Sequence, residues 1–255
     1  MTMSLGLYDL AGGFFFQFYI ALLALTVVAG YRIPRWIRHG GHEGRVTDTG
    51  ELAYLAGGMA RFTDAVVARL LATRALAMVG KKGFQALTRG AGRAPVELSV
   101  LALPGEVSWK EISRSLESHA EPIEHRLVAD CLIMDARQTL QMRFWQTLPY
   151  FLLLLFGAIK LIVDEIYHRP VGYLVLLLIL TAILALIRWL VVDRLTRGGV
   201  AALNEARRRS ARLRLAPTAP ETDLAVALFG TGVLAASGWS DFHELRTASL
   251  GAGGS

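Results

Sequence analysis

Residues 171–192 read VGYLVLLLILTAILALIRWLVV, a stretch of 22 residues in which Arg188 carries the only charge. A helix of this length is about 33 Å long, and the hydrocarbon core of a bilayer is about 30 Å thick. The stretch therefore predicts a transmembrane helix, and it is the clearest one in the chain.

Two further apolar runs predict two more spans. Residues 148–163, LPYFLLLLFGAIKLIV, form a shorter run that contains Lys160, whereas residues 11–31, AGGFFFQFYIALLALTVVAGY, contain no charge. An apolar run near the N-terminus is also typical of a cleaved signal peptide, which has basic residues before a shorter apolar core. Here residues 1–10 contain no Lys or Arg, and the basic residues follow the run. This order favours an uncleaved anchor.

The composition agrees with a membrane protein. Of the 255 residues, 53% are hydrophobic and 19% are charged, less charge than the quarter that is usual in soluble domains. The net charge of +6 suits either nucleic acid or an anionic membrane surface. The single cysteine, Cys131, excludes an internal disulfide and a multi-thiolate metal site. Its apolar neighbours, LVADCLI, predict a buried and inert thiol.

The distribution of Lys and Arg predicts the orientation of the spans. The connection at residues 164–170 is short enough only for an antiparallel turn, so residues 148–192 are expected to form a helical hairpin. Basic residues accumulate at cytosolic span ends, and the turn offers only Arg169, beside Asp164 and Glu165. We therefore expect a multi-pass protein of the plasma membrane, the bacterial inner membrane. Its N-terminus and turn lie outside, and residues 32–147 and the C-terminus lie in the cytosol.

The arginines that follow the first and third spans are expected to contact anionic lipids of the inner leaflet. This predicted lipid-contact set comprises Arg32, Arg35, Arg38, Arg194, Arg197, Arg207, Arg208 and Arg209.

The fold class that follows is mainly α: three transmembrane helices, with a small and mostly helical cytosolic domain inserted between the first two spans. The predicted divisions are an outside tail and first span (1–31), a juxtamembrane linker (32–46), two winged-helix-like modules (47–94 and 95–147), the hairpin (148–192) and a cytosolic C-terminal segment (193–255).

Local signals place elements inside the two modules. Asp48, three residues before Glu51, predicts a helix N-cap, and Thr63 and Asp64 predict the start of a second helix. The segment LAMVGKKGFQAL, with its turn between Gly80 and Gly83, predicts a β-hairpin. In the second module, Ser108-Trp-Lys-Glu111 and Ser118-His-Ala-Glu121 are two capping-box patterns, each expected to open a short helix.

The C-terminal segment predicts two helices and a tail. Residues 196–215 are arginine-rich, with apolar residues at helical spacing, and are expected to continue the third span or to lie along the membrane. Residues 223–236 form an apolar run too short to cross a bilayer, which favours a buried or interfacial helix. Residues 251–255, GAGGS, are typical of a flexible tail.

The segments ELAYLAGG, RPVGYLVLLLIL, LTRGGVAAL and AVALFG resemble those of an uncharacterised bacterial family of three-span membrane proteins. The resemblance runs from the first span to about residue 236, and RPVGYLV followed by LTRGG is its most specific part. Members of that family usually end in a Gly- and Cys-rich tail, which is reduced here to GAGGS without cysteine. The family is known by its sequence pattern rather than by an activity, so the resemblance implies no catalytic residues.

The sequence carries none of the common catalytic or nucleotide-binding motifs. A P-loop, a GxGxxG after a strand, HExxH and GxSxG are absent from the sequence. Glu121 and His125 share a helical face, but a metal site needs three or four ligands and both residue types are ordinary on a surface helix. Lys160 lies one turn before Asp164, so this intramembrane polar pair is expected to form an ion pair unless the lysine extends outward to the interface. We expect no enzyme activity, no cofactor and no metal.

Three classes of function remain open. The first is a membrane-anchored protein-interaction or accessory module with an unknown protein partner. The second is a membrane-tethered winged-helix transcription regulator, with residues 66–76 as its recognition helix and Lys81 and Lys82 in the wing. The third is a subunit of a membrane enzyme or transport complex. Residues 95–147 contain eight acidic and five basic groups and would repel a duplex, so nucleic acid is not the expected partner.

Overall fold

The computed structural model describes residues 12–37, 40, 46–88, 90, 92, 94–166, 172–215 and 217–252. Most of the predicted hairpin turn, about half of the linker and most of the GAGGS tail therefore lie outside the described residues. The helices are α1 (Gly12–Ile37), α2 (Thr49–Ala72), α3 (Pro95–Leu101), α4 (Trp109–Ser115), α5 (Glu117–Ala129), α6 (Ala136–Ile166), α7 (Gly172–Leu190), α8 (Arg197–Arg209), α9 (Thr222–Phe229) and α10 (Ser240–Ala252). The strands are β1 (Leu76–Val79), β2 (Gly83–Ala86) and β3 (Glu106–Ser108).

The fold is mainly helical, as predicted, and three of its helices are long and apolar enough to cross a membrane. The three candidate spans are Phe15–Ile33, Ala136–Ile166 and Gly172–Leu190. The chain forms two compact units. Unit 1 comprises residues 1–39 and 134–194, and unit 2 comprises residues 40–133 and 195–255.

Unit 1 is a three-helix arrangement in which α6 runs antiparallel to both α1 and α7. The amide of Gln146 donates to the carbonyl of Arg188 at 2.7 Å, and Gly157 lies against Leu178, so α6 and α7 run in opposite directions. An apolar core joins all three helices through Phe15, Tyr19, Leu23, Leu153, Leu174 and Leu177. Most other large apolar side chains of these helices are exposed on the protein surface, as expected of helices that face lipid.

The second and third spans have different limits from those predicted. Helix α6 begins at Ala136 rather than Leu148, so the end of the second predicted module belongs to the same helix as the span. Helix α7 ends at Leu190, and residues 191–196 are not helical. Residues 196–215 therefore do not continue the third span. Helix α8 instead begins anew at its N-cap Thr196, whose hydroxyl accepts from the amide of Gly199 at 3.1 Å.

Helix α2 is the centre of unit 2. Its N-cap is Asp48, whose carboxylate accepts from the amide of Glu51 at 2.9 Å, which confirms the predicted cap. The predicted second start at Thr63 and Asp64 is wrong, because α2 passes through both residues and they are buried. The helix is interrupted earlier, at Gly57 and Gly58, where Gly58 has a φ of +62°. Glycine adopts such a conformation without a steric cost.

The hairpin predicted at residues 76–87 is confirmed as β1 and β2, which pair antiparallel with Val79 opposite Gly83. A third strand, β3, was not predicted and pairs with β2. One core joins residues of both predicted modules and of the C-terminal segment, with Phe84, Leu101, Ile112, Val226 and Phe242 among its fully buried members.

Only one of the two predicted capping boxes opens a helix. Ser108 caps α4, and Glu111 accepts from the amide of Ser108 at 2.7 Å in return. Ser118 lies inside the first turn of α5, which begins at Glu117. The reason is that α5 follows α4 almost directly, so Leu116 serves as the boundary of both helices.

The chain re-enters unit 2 after α7 beside the place where it left. Ile133 and Leu195 form an antiparallel bridge, and the hydroxyl of Thr196 donates to the carbonyl of Cys131 at 2.7 Å. A side chain at Gly199 would collide with the carbonyl of Leu132. The expectation of a buried Cys131 is wrong: the residue is exposed, because it occupies a turn with a φ of +54°.

The C-terminal segment completes the core of unit 2. Helix α9 packs along α2 and is almost entirely buried. It begins at Thr222, one residue before the predicted stretch 223–236, and ends at Phe229. Gly230, with a φ of +89°, ends the helix, and a short 3-10 turn (Thr231–Leu234) follows. Helix α10 follows in turn and was not predicted.

Candidate functional site: a cleft in unit 2

A cleft of about 330 Å³ opens in unit 2 between helices α2, α3 and α5. Its apolar lining consists of Phe62, Ala65, Val66, Val96 and Ile123. Its polar lining includes His119 and charges of both signs, from Asp48, Arg69, Glu97, Arg126 and Asp223.

Arg69 joins the two buried carboxylates of the cleft. Its Nε lies 2.7 Å from Oε1 of Glu97, and its Nη1 lies 3.0 Å from Oδ2 of Asp223. Glu97 comes from the first turn of α3 and Asp223 from the first turn of α9, so one side chain of α2 holds the starts of two helices. Charged groups are rarely buried without such partners, and this pairing keeps both acids inside the cleft.

Helix α5 presents one face to the cleft. His119, Ile123 and Arg126 lie at positions i, i+4 and i+7, the spacing of residues that share a helical face. Arg126 is exposed at the mouth, with its Nε 3.5 Å from Oε1 of Glu51. The imidazole Nε2 of His119 lies 2.9 Å from the hydroxyl oxygen of Ser99.

The Ser99–His119 contact resembles a nucleophile beside its base. The hydroxyl also lies 3.0 Å from the carbonyl of Pro95 and 3.1 Å from that of Val96, so two backbone carbonyls accept from it in competition with any donation to the imidazole. Ser99 lies inside α3, where backbone amides are committed to helical hydrogen bonds and offer little to a developing oxyanion. The geometry suits holding the imidazole in place better than nucleophilic catalysis.

A second polar cluster is buried on the other side of α2. Nε of Arg246, from α10, donates to Oδ1 of Asp64 at 2.6 Å, and both side chains are less than 10% exposed. The guanidinium lies over the ring of Trp109 at 3.8 Å. Burial raises the pKa of the Asp64 carboxyl, and Arg246 opposes this shift.

The arginines of the predicted lipid-contact set differ in their exposure. Arg32, Arg197, Arg208 and Arg209 are exposed, and Arg194 is half-buried. Arg207 is half-buried and donates to the carbonyl of Leu228 at 3.0 Å, so it faces unit 2 itself. The side chains of Arg35 and Arg38 lie outside the described residues.

The predicted polar pair of the second span is buried within unit 1. Nζ of Lys160 lies 2.9 Å from Oδ1 of Asp164, and the lysine side chain is 1% exposed. The same Nζ lies 5.2 Å from the ring centroid of Phe15. One turn deeper, the hydroxyls of Tyr19 and Thr181 lie 3.2 Å apart. Lys160 therefore points into the helix cluster rather than outward to the interface.

Other candidates remain apart from the cleft. Glu121 and His125 are 3.9 Å apart and both more than three-quarters exposed. Within the described ranges, no group of three or more His, Cys, Asp and Glu side chains could hold a metal.

Sequence reasoning missed the residues that build the cleft. Arg69, Glu97 and Asp223 are far apart in the sequence, and each lies in an ordinary helical pattern. The available signal was an acidic residue near the start of two apolar segments, 95–103 and 223–236, because such a residue is placed to meet a cation from elsewhere. Comparison with known protein families, with curated proteins and with solved structures finds no match to this chain.

Proposed function

We propose that this protein is a membrane-anchored interaction module whose cleft in unit 2 binds a short peptide segment of a partner protein. The observation that carries the proposal is the combination of an apolar floor with polar groups of both signs around it. Ligand sites in proteins are commonly concave, mostly apolar and supplied with a few convergent polar groups.

A peptide is favoured over an anionic polymer by the charges of the cleft. Arg69 is neutralised by Glu97 and Asp223, and Asp48 adds a further carboxylate. Phosphates would meet these acids, whereas a peptide offers amide donors to the acids, a carbonyl or carboxylate to Arg126, and an apolar side chain to the floor.

The orientation of the spans forms part of the proposal. We propose that residues 40–133 and 195–255 lie on one side of the membrane. Their folding into one unit supports this, and two crossings by α6 and α7 are consistent with it. We propose that this side is the cytosol, because basic residues accumulate at cytosolic span ends and arginines follow the first and third spans. The exposed Arg197, Arg208 and Arg209 are available for anionic head groups.

The burial of α2 supports the interaction module over a tethered transcription regulator. Val67, Leu70 and Leu71, in the proposed recognition helix, are buried in the core, and Arg69 is held by two carboxylates. Direct reading of a duplex needs side chains that reach base edges in a groove. Lys81 and Lys82 are exposed, but two lysines supply only non-specific attraction.

A subunit of a membrane complex is the second candidate function, favoured by the buried Lys160–Asp164 pair. Ionisable residues within a span are costly and commonly mark a functional site.

Site-specific photo-crosslinking in cells tests the proposed function. A photoreactive amino acid replaces Arg126, at the mouth of the cleft, and in a matched protein it replaces His125, which is exposed on the same helix outside the cleft. We expect a discrete cross-linked partner from position 126 and little from position 125. Adding Val66→Trp, which fills the cleft, should abolish the cross-link. Equal products from both positions, or a product insensitive to Val66→Trp, would contradict the proposal.

A further inference from the structure

The side chain of Arg61 packs against two glycines, Gly57 and Gly230, at positions where a larger residue would collide with it. A Cβ at Gly57 would lie 2.9 Å from Cβ of Arg61, and a Cβ at Gly230 would lie 2.3 Å from its Nη1. The stem of the arginine therefore passes Gly57, where α2 is kinked, and its guanidinium lies directly over Gly230, at the end of α9. A side chain at either glycine would displace Arg61.

The environment of this guanidinium is cationic. Burial and the nearby guanidinium groups of Arg207 and Arg246 lower the pKa of Arg61, and the Asp64 carboxylate opposes this shift. Asp64 is already bonded to Arg246 at 2.6 Å. Three arginines thus share one carboxylate, and within the described part of the chain no residue accepts a hydrogen bond from Arg61.

The C-terminal end of α9 offsets only part of the positive charge of these arginines. Arg207 donates through Nε to the carbonyl of Leu228, and a helix C-terminus carries about half a negative charge. One carboxylate and half a charge leave the cluster with more than one unit of positive charge. Arg61 and Arg207 are both half-buried, so water screens the excess positive charge less than at an open surface.

We propose that Arg61 and Arg207 form an anion site at Gly230 that binds a phosphoryl group. Guanidinium presents a planar fork of donors that matches phosphate oxygens in a bidentate manner, and a phosphoryl dianion neutralises the excess charge. The group can come from a phosphomonoester lipid head group or from a small soluble phosphate. The site is separate from the peptide cleft, so it does not depend on the proposed function.

The test uses the purified full-length protein in a neutral detergent. Inorganic phosphate should raise the Tm above that in chloride of equal ionic strength, in a saturable manner, since a ligand that binds the folded state stabilises it. Arg61→Gln should weaken phosphate binding about tenfold or more, because a charge-assisted bidentate contact is lost. Arg74→Gln, which replaces an exposed arginine just beyond the far end of α2, is the matched control and should bind as the wild type does.

A second variant, Arg207→Gln, and a competition experiment with a lipid complete the test. Arg207→Gln should also weaken phosphate binding, and it decides the question if Arg61→Gln does not fold. Micelles doped with phosphatidic acid that compete with inorganic phosphate identify a head group as the source. Binding of inorganic phosphate without such competition identifies a soluble phosphate. No phosphate-specific stabilisation of the wild type, or an equal effect in the folded Arg61→Gln or Arg207→Gln protein, would overturn the proposal.

Discussion

Ion pairs with buried carboxylates connect distant parts of this chain. Arg246 reaches from α10 to Asp64 in α2, and Arg69 reaches from α2 to Asp223 in α9. Each contact joins the C-terminal segment to the helix at the centre of unit 2. Removing one member of a buried ion pair leaves the other charge in an environment of low dielectric constant, which costs more than the pair contributed.

A double-mutant cycle tests the Asp64–Arg246 pair. Arg246→Met should lower the free energy of unfolding of the full chain by about 3–5 kcal/mol, and Asp64→Leu by a similar amount. The double variant should lose much less than the sum, since neither charge remains. The exposed pair Glu205–Arg209 is the control, and Glu205→Gln should change stability by less than about 1 kcal/mol. Additive losses at Asp64 and Arg246 would show that the two side chains act independently.

The same reasoning applies to Lys160, which the structure places inside unit 1. Lys160→Leu removes the ion-pair partner of Asp164 at 2.9 Å, so less protein should accumulate in membranes than for the wild type. Lys160→Leu combined with Asp164→Leu should restore much of the amount, because both charges are gone. Quantitative immunoblotting of membrane fractions measures this. An unchanged amount in the single variant would favour a lysine that reaches the interface.

At the level of elements, the sequence predicted the helices, turns and caps that depend on interactions between neighbouring residues. The three apolar helices, the hairpin at Gly80–Gly83, and the caps at Asp48 and Ser108 depend on neighbouring residues, and all were found. The strand β3 and the way α8, α9 and α10 pack into unit 2 depend on contacts with remote residues. Asp64 shows the difference: its pattern was that of an N-cap, but its partner lies 182 residues further along the chain.

The kink of α2 is also a property of a single element, and it depends on glycine at position 58. Gly58 has a φ of +62° and a ψ of −153°, a region that is essentially restricted to glycine and costs other residues about 1–3 kcal/mol. Gly58→Ala should therefore reduce the free energy of unfolding by that amount. Gly232→Ala is the control, because its Cβ meets nothing within 4 Å and its φ is not positive. That substitution should be neutral or stabilising. Equal effects at the two glycines would argue against a strained kink.

At the scale of the whole molecule, unit 2 is built from two segments that the hairpin of α6 and α7 separates in sequence. The bridge between Ile133 and Leu195 closes the unit where the chain leaves and returns. The sequence indicated that both segments lie on one side through their arginines, but not that they share a core. Arginines near a span can be read directly from the sequence, whereas a shared core depends on contacts between residues that are distant in the sequence.

The most direct test of this account is the accessibility of single cysteines in intact cells, in a Cys131→Ser background. Ser4→Cys and His168→Cys should react with a membrane-impermeant thiol reagent before lysis. Gly92→Cys and Ala219→Cys lie in the two segments of unit 2 and should react only after lysis. Reaction of both unit 2 positions in intact cells would reverse the orientation. Reaction of only one of them would contradict the central claim that residues 40–133 and 195–255 form one unit on one side of the membrane.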